Sequence, residues 1–566
     1  MVWFVDKPEI LQDELSRLAA IGAQFDVDKH ATAQGELVVR VKYRIDDNDL
    51  NFICIYPSGY PFFPPTISSH DFPPGRHLEP FGKTICTFAD KNNDWNPAKD
   101  TLAGLLETKV TQVYEIHKSP TVISKHEDKF EGYQPSGQLV VEPRSVIVIT
   151  TNTENFPNRG KGYLQLNFVK GAKLFEDSDA ECFTGCFKAA SDEQGKLVFE
   201  DETEYHTRFH TRHPVRWVKL SNPLSSVDPA GVLRQVINEF PDLELPSFSQ
   251  LGKVGADIIG VCFQEETSRG NLQSSWLFLV RRQWRKNKRA HTNISIVRSD
   301  YLHPDQLYAR TPRLLGLANK TVTVIGLGAL GSQVAFQLAR AGIKKLIIID
   351  KDHLQLGNLS RWIAGLPLVG TTKVQAVASI LHSNFVGMSI KGYDIEIGTN
   401  TRFSISDGSI VGEHEFLQQE IIKKSDLVVD CSAMLNINQY LSALCNEHAT
   451  DFVWCSATNG AWGGIVGRSP GAYAHDVWHR FNKEHALDGI STEPSGFVQP
   501  KGCFHPTFTG AGFDLDTLSN MASRFVVSML QGDKYGHFEY DVYIMEQWAN
   551  GQPVVPTWRG FKYNDG

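Results

Sequence analysis

Between Thr321 and Asp350 the chain reads, in order, an apolar strand, a glycine loop, a helix and a second apolar strand, and that order leaves little choice of fold. Thr321-Val322-Thr323-Val324-Ile325 and Lys345-Leu346-Ile347-Ile348-Ile349-Asp350 are runs of the kind buried on both faces, and the periodic segment Ser332 to Ala341 joins them as a helix. Two strands joined this way lie parallel, so an α/β sheet with helices on both faces is expected here. Gly326-Leu327-Gly328-Ala329-Leu330-Gly331 matches GxGxxG at the strand-to-helix junction, where backbone N–H groups and the helix N-terminus can hold an anionic phosphate. Asp350, 19 residues past Gly331, is placed to accept hydrogen bonds from ribose hydroxyls. A nicotinamide-dependent dehydrogenase carries the same features, so these residues alone leave both chemistries open.

The polar residues that follow separate the two: Asp352, Gly357-Asn358-Leu359-Ser360-Arg361, Lys373 and Ser425-Asp426-Leu427-Val428-Val429-Asp430-Cys431. An enzyme that attaches AMP to a carboxylate must balance triphosphate charge and release pyrophosphate. That calls for Arg and Lys near the phosphates and a carboxylate for magnesium, whereas hydride transfer has no such need. Residues 321 to 470 resemble the adenylating fold of the ThiF and ubiquitin-activating family, chiefly in the NLxR element and in Lys373, twelve residues after Arg361. The resemblance implies ATP and Mg2+ as cofactors. It places Gly326, Gly328 and Gly331 on the nucleotide, Asp350 on the ribose, Asn358, Arg361 and Lys373 on the phosphates, and Asp430 on the magnesium. It also implies a homodimer through this domain, with Arg310 or Arg313 lent across the interface.

At 566 residues the chain exceeds what one hydrophobic core serves, and roughly two to four domains are expected. Its 41% hydrophobic and 21% charged residues are those of an ordinary globular protein. The start, Met1-Val2-Trp3-Phe4-Val5-Asp6-Lys7, reaches charge too early for a secretory segment, and no run of about 18 apolar residues occurs, so a cytoplasmic protein without membrane contact is expected. Nine scattered cysteines with no CxxC pair argue against a disulfide framework or zinc ribbon. A net charge of −8 argues against broad nucleic-acid affinity. The local exception, Arg281-Arg282-Gln283-Trp284-Arg285-Lys286-Asn287-Lys288-Arg289, reads as a solvated strand end, with a basic docking patch as the alternative.

Three domains are expected: 1–130, 131–305 and 306–566. In the first, a helical rhythm over residues 9 to 22 precedes strands at Glu36 to Tyr43 and Leu50 to Tyr56. The proline cluster from Pro57 to Pro65 must leave the sheet, because proline cannot donate to a ladder. A helical stretch around Leu102 to Ile116 closes an α+β domain. The second block, a mixed α/β linker, shows strand-like pieces at Ser145 to Ile149 and Ser275 to Val280 and no catalytic motif. Cys182 and Cys186 there would share a helical face, but without two further ligands they make no metal site.

Two cysteines stand apart from the rest. Cys503, in Lys501-Gly502-Cys503-Phe504-His505-Pro506-Thr507, occupies a Gly/Pro-rich stretch unlike the apolar surroundings of Cys431, Cys445 and Cys455. A thioester keeps an acyl group activated, so Cys503 is a candidate first acceptor from an acyl adenylate. Cys86 lies in Gly82-Lys83-Thr84-Ile85-Cys86, between Tyr60-Pro61-Phe62-Phe63-Pro64-Pro65 and Trp95-Asn96-Pro97-Ala98. Residues 57 to 110 resemble ubiquitin-conjugating enzymes in these motifs and their order, which implies Cys86 as the second acceptor. One departure is plain: Leu78, eight residues before the cysteine, stands where that family's His-Pro-Asn tripeptide has its asparagine, and His77 is one place off register. Another donor, His77 or a backbone N–H, must steady the oxyanion when an amine attacks.

The order conjugating-like domain, linker, adenylation domain is similar to the bacterial fused ligases of CBASS antiphage systems, the family of CD-NTase-associated protein 2. The resemblance implies antiviral defence, the C-terminus of a cGAS-like CD-NTase as substrate, and an amine-bearing target as final acceptor. A small ubiquitin-like β-grasp protein as substrate would use the same residues. From a different class, a non-catalytic nucleotide-binding scaffold is weighed against the intact Asp350, Arg361, Lys373, Asp430 and both cysteines.

Overall fold

The computed structural model describes residues 2–72, 77–79, 83–88, 94–118, 139, 141–150, 160–170, 183–201, 211–222, 224–226, 228–244, 249–251, 254–268, 271–286, 289–302, 307–399, 401–457, 461, 463–484, 497–498, 507–508, 510–532, 538–549 and 552–562. They form two compact units, 1–303 and 304–566.

In the first unit a short helical turn, Trp3–Asp6, precedes helix α1 (Pro8–Ala20), whose Pro8 at the first helical position needs no N–H partner. Strands β1 (Gln24–Val27), β2 (Leu37–Ile45), β3 (Asn48–Tyr56) and β4 (Thr66–Ser68) follow as one antiparallel sheet in that order. Along β2, Leu37, Val39 and Val41 are buried while Arg40, Lys42 and Arg44 face solvent, the period-two pattern of a half-buried strand. The chain leaves the sheet at Pro57 and returns as a helical stretch, Leu102–Leu105, a wide π turn Leu106–Val110 and helix α2 (Thr111–Lys118). One buried carboxylate ties these pieces together. Glu14 of α1 accepts hydrogen bonds from Tyr60 Oη at 2.5 Å, Tyr56 Oη at 3.0 Å and the Leu102 N–H at 3.1 Å.

Strands β5 (Val141–Ile149), β6 (Gly160–Lys170), β7 (Phe183–Asp192), β8 (Leu197–Glu200), β9 (Thr211–Lys219), β10 (Ser249–Leu251), β11 (Val254–Ser268), β12 (Asn271–Lys286) and β13 (Arg289–Tyr301) form a second sheet, with helix α3 (Pro229–Glu239) the one helix described among them. Pairing runs β11-β12-β13-β5-β7-β6-β9, and β9 pairs again with β11, closing a seven-stranded ring. One face of β11 and β12 (Ile258, Cys262, Trp276, Phe278, Val280) shares a cluster with residues of the other five ring strands, while the opposite face (Ile259, Val261, Phe263, Leu277, Leu279) packs with Val232 and Val236 of α3. This replaces the expected mixed α/β linker with a largely β block. Two apolar faces produce unbroken apolar runs, which hide the alternation that marks a strand. Cys186 lies buried on strand β7 rather than on a helix, and Cys182 is outside the described residues. The described residues of the basic run lie on β12 and the start of β13. Arg281 Nε donates to Asp257 at 2.8 Å and Arg282 Nη1 to Glu142 at 2.6 Å, so these two charges are used within the fold.

In the second unit the strands are β14 (Thr321–Ile325), β15 (Lys345–Ile349), β16 (Ser389–Tyr393), β17 (Arg402–Ser404), β18 (Ile410–Gly412), β19 (Leu427–Asp430), β20 (Asp451–Ala457), β21 (Gly463–Ser469), β22 (Phe497–Val498), β23 (Thr507–Phe508), β24 (Val542–Ala549) and β25 (Gln552–Phe561). The main sheet has the order β16-β15-β14-β19-β20-β21-β24-β25; its first five strands are parallel and the last three antiparallel. Val322, Val324, Leu346, Ile348 and Val429 pack on one face with helices α4 (Ala329–Arg340), α5 (Lys373–Asn384) and, farther along the chain, α8 (Gly512–Gln531). Ile325, Ile347, Ile349 and Val428 pack on the other with α6 (Leu435–Glu447) and α7 (Ala474–Lys483). The strand order reverses at β14, where the connections leave toward opposite sides, and a crevice opens beyond the strand ends at such a point.

Candidate active site

The crevice at that switch point is a cleft of about 160 Å3 between the ends of β14, β15 and β19. Gly326 and Gly328 line it, and so do Asp350, Asp352, Lys373 and Ser432. The glycines are there for different reasons. Gly326 has φ +79°, and a Cβ on it would come 2.6 Å from the Ser432 backbone. A Cβ on Gly331 would overlap the Gly326 carbonyl oxygen, so the tight turn into α4 needs both. Gly328 caps α4, and a Cβ there would meet nothing within 4 Å; its lack of a side chain leaves room for an incoming group.

Asp350 holds the loop from the β15 side. Its Oδ2 accepts the Leu327 N–H at 2.6 Å and its Oδ1 the Asp352 N–H at 2.7 Å. Burial pushes its carboxyl up, and Lys373, with Nζ 3.8 Å away, pulls it back. Lys373 Nζ also lies 2.8 Å from Asp352 Oδ2, so one ammonium bridges two carboxylates at the cleft wall. Thr372 caps α5 through the Gln375 N–H, which fixes Lys373 at the helix start.

Asn358 and Arg361 stand together on a 3-10 turn, Leu356–Arg361, beyond the residues that line the cleft. Asn358 Oδ1 accepts the Gln355 N–H at 2.9 Å, and burial pushes the Arg361 guanidinium down. The Trp362 indole, next in the chain, donates to the Leu327 carbonyl at 2.7 Å. Asp430 ends β19, just before Cys431 and Ser432 of the cleft wall, and is itself 1% exposed. It accepts the Ser432 N–H at 2.9 Å and Asn438 Nδ2 at 3.1 Å; burial pushes its carboxyl up and these bonds pull it back. Asp352, with a side chain 53% exposed, is the more open carboxylate of the site. Among the described residues no three His, Cys, Asp or Glu side chains converge as a metal cage. A magnesium ion held by one or two carboxylates and nucleotide phosphates needs no such cage. Asp352 lines the cleft, whereas Asp430, expected to bind the magnesium, lies behind its wall with both oxygens already accepting hydrogen bonds.

Arg310 and Arg313 are both exposed just before β14. Cys86, in the other unit, is exposed, and its N–H donates to the His77 carbonyl at 2.7 Å. That N–H is therefore spent within the fold, and His77 itself sits at φ +59°. Cys503 lies outside the described residues; β22 and β23 pair antiparallel on either side of its segment, Phe497 with Phe508 and Val498 with Thr507. Sequence reasoning missed Trp362, Ser432 and Asn438, which carry no motif of their own and matter through the contacts they make.

The cleft, its glycine loop and Lys373 all lie within a stretch that one comparison covers. Residues 307–493 match the ThiF family model. The ThiF-type domain thus covers the cleft and every residue described around it. Over 551 residues, "Uncharacterized protein y4oA" of Sinorhizobium fredii is 27% identical, with 93% of this chain and 90% of that protein covered. "ATP-dependent ubiquitin transferase-like protein Cap2" of Enterobacter hormaechei is 24% identical over 46% of this chain. "Ubiquitin-like modifier-activating enzyme 5" of Bombyx mori is 32% identical over 23% of this chain. The matches span 41% of the Cap2 chain and 32% of the silkworm protein. Among the described residues no helix is long and apolar enough to cross a membrane.

Proposed function

We propose that this protein is an ATP-dependent protein-conjugating enzyme that adenylates the C-terminal carboxylate of a protein and carries the acyl group on two thiols in turn. The observation that carries the reading is the cleft of the ThiF-type domain, where Lys373 bridges Asp350 and Asp352 beside an open glycine loop. Ile325, Ile349, Ile395, Ile397, Met434 and Ile437 supply apolar walls for a flat base, and the glycine loop and Lys373 supply N–H groups and charge for phosphates.

In the proposed path a carboxylate oxygen of the substrate attacks the α-phosphorus of ATP, and the bond to pyrophosphate breaks. Lys373 and Arg361 offset the charge that collects on the departing pyrophosphate. Magnesium bound with the nucleotide, on Asp430 and Asp352, would neutralise part of the same charge. The Cys503 thiolate then attacks the acyl carbon and AMP leaves. Exchange to the Cys86 thiolate follows, and an amine attacks that thioester, loses a proton and forms an amide while the thiol is freed. The Cys86 N–H already serves His77, so the oxyanion donor for this last step comes from elsewhere.

Three parts carry this work: a conjugating part with Cys86, a β-rich linker and the adenylating part. We assign the substrate as the C-terminus of a cGAS-like CD-NTase and the setting as cytoplasmic antiviral defence, on the likeness to fused ligases and to Cap2. The name of the Bombyx mori relative, a ubiquitin-like modifier-activating enzyme, favours an alternative substrate, a small ubiquitin-like protein. A homodimer through the adenylating part, lending Arg310 or Arg313 across, completes the proposal.

ATP–pyrophosphate exchange tests it. Purified protein with magnesium-ATP and the protein encoded beside it should return label from pyrophosphate to ATP only when the substrate's C-terminal residue is intact. No exchange with a substrate shown to bind would leave a nucleotide-binding scaffold as the better description.

A further inference from the structure

We propose that Trp362 is a positioning residue of the nucleotide site, whose indole N–H clamps the glycine loop and so sets where Arg361 stands relative to the phosphates beyond the α-position. The proposal deepens the adenylation reading and rests on it.

Leu327 is the only residue between Gly326 and Gly328, and its peptide groups are held from two sides. Its N–H donates to Asp350 Oδ2 at 2.6 Å, and its carbonyl accepts the Trp362 indole at 2.7 Å. Its side chain is fully buried against the core shared with α4. The flanking glycines have more backbone freedom than any other residue, so without clamps this loop would have alternatives close in energy. An indole nitrogen only donates, so the direction of the Trp362 bond is fixed.

Trp362 directly follows Arg361, and consecutive Cα atoms are about 3.8 Å apart. Holding the indole on the loop therefore restrains Arg361 within one residue's reach of it. The other side of the turn is held as well. A Cβ on Gly512, at the start of α8, would come within 3.3 Å of Arg361 Cα and the Ser360 carbonyl. The Trp362 ring packs against the cluster of Leu354, Ala364 and Ala376, which ties it to the start of α5 and hence to Lys373. The glycine loop, Arg361 and Lys373 are thus set against one another through a single side chain that lies outside the cleft lining.

Calorimetric titration of ATP and AMP into the full chain, wild type, Trp362→Phe and Trp362→His, tests this, alongside KM and kcat for ATP in pyrophosphate exchange. Phenylalanine keeps the ring and loses the donor; histidine keeps a ring N–H. Trp362→Phe is expected to weaken ATP binding about tenfold, the equivalent of one modest hydrogen bond, while AMP changes by less than about twofold. The KM for ATP should rise by a similar factor with kcat changed less, and Trp362→His should stay within about threefold of wild type for ATP. Equal weakening of ATP and AMP, no weakening of either, or a histidine variant as weak as the phenylalanine one would overturn the proposal and leave Trp362 as packing alone. A wild-type chain that binds no ATP would overturn the adenylation reading, and this proposal with it; a wild type that binds ATP with an unchanged Trp362→Phe would overturn only the positioning role.

Discussion

The Nζ of Lys373 lies 2.8 Å from Oδ2 of Asp352, and the Lys373 N–H also donates to the Asp352 carbonyl at 2.9 Å. A helix start and the loop after β15 are thereby joined by both backbone and side chain. On the proposed path a nucleotide phosphate would take the lysine charge over from these carboxylates. Lys373→Met should lower pyrophosphate exchange about hundredfold or more, the size seen when one preorganised charge-stabilising group is lost. Lys373→Arg should retain part of the rate; equal loss in both variants would point to disrupted packing instead.

Gly331, which is crowded, and Gly328, which is open, separate fold from ligand. Gly331→Ala forces a methyl into the Gly326 carbonyl and should lower the melting temperature of the ThiF-type domain. Gly328→Ala meets no atom of the protein, so its melting temperature should stay within about 1 °C of wild type while ATP affinity falls. Melting curves and ATP titration of the two variants check both halves.

Of the described cysteines, Cys86 is exposed, and Cys54, Cys186, Cys262, Cys431, Cys445 and Cys455 are buried. Burial pushes the Cys262 and Cys445 thiols up to about 12, far from the thiolate form that alkylators attack. Brief iodoacetamide treatment followed by peptide mass spectrometry should therefore label Cys86 before any of those six. Early labelling of one of the six would contradict the described packing.

Glu14→Ala would leave Tyr56 Oη, Tyr60 Oη and the Leu102 N–H buried without their acceptor. Unsatisfied buried groups cost about 1–3 kcal/mol each, so a loss of about 3–5 kcal/mol in the N-terminal sheet is expected, read by urea unfolding. Glu14→Gln keeps one acceptor oxygen and should cost less.

Glu420 supplies the pH dependence. Burial alone would raise its carboxyl, but hydrogen bonds from Lys391 at 2.8 Å, Lys424 at 2.7 Å and the Ser406 N–H at 2.9 Å hold it well below the usual carboxylate range. A carboxyl lowered on folding stabilises above its unfolded value, about 4.3, and the stabilisation is lost as pH falls toward the folded value. The melting temperature of wild type should drop steeply below about pH 4. Glu420→Gln should start lower at pH 6 and lose less over that interval; parallel curves would remove Glu420 as the cause.

The strand-loop-helix-strand of residues 321–350 was readable because a glycine loop between two unbroken apolar runs has one physical outcome. The helix begins at Ala329 where the periodicity suggested Ser332, since Gly328 serves as its cap. Strands β1 and β4, of four and three residues, are too short for a pattern to declare itself. The seven-stranded ring was not readable because β11 and β12 are apolar on both faces, and its closure by β9 on β11 depends on partners some forty residues apart. Within the site, residue types marked Asp350 and Lys373. The burial of Asp430 behind the wall, and the grip of Trp362 on Leu327, follow from contacts that no spacing encodes.

The most direct test of the thiol relay is a gel, with and without thiol reductant, of the protein with magnesium-ATP and its neighbouring substrate, comparing wild type, Cys86→Ala and Cys503→Ala. A reductant-sensitive adduct should persist in Cys86→Ala and disappear in Cys503→Ala. An ATP-dependent adduct that survives Cys503→Ala and is lost in Cys86→Ala would contradict the order of transfer, and no adduct in any lane would contradict the relay itself.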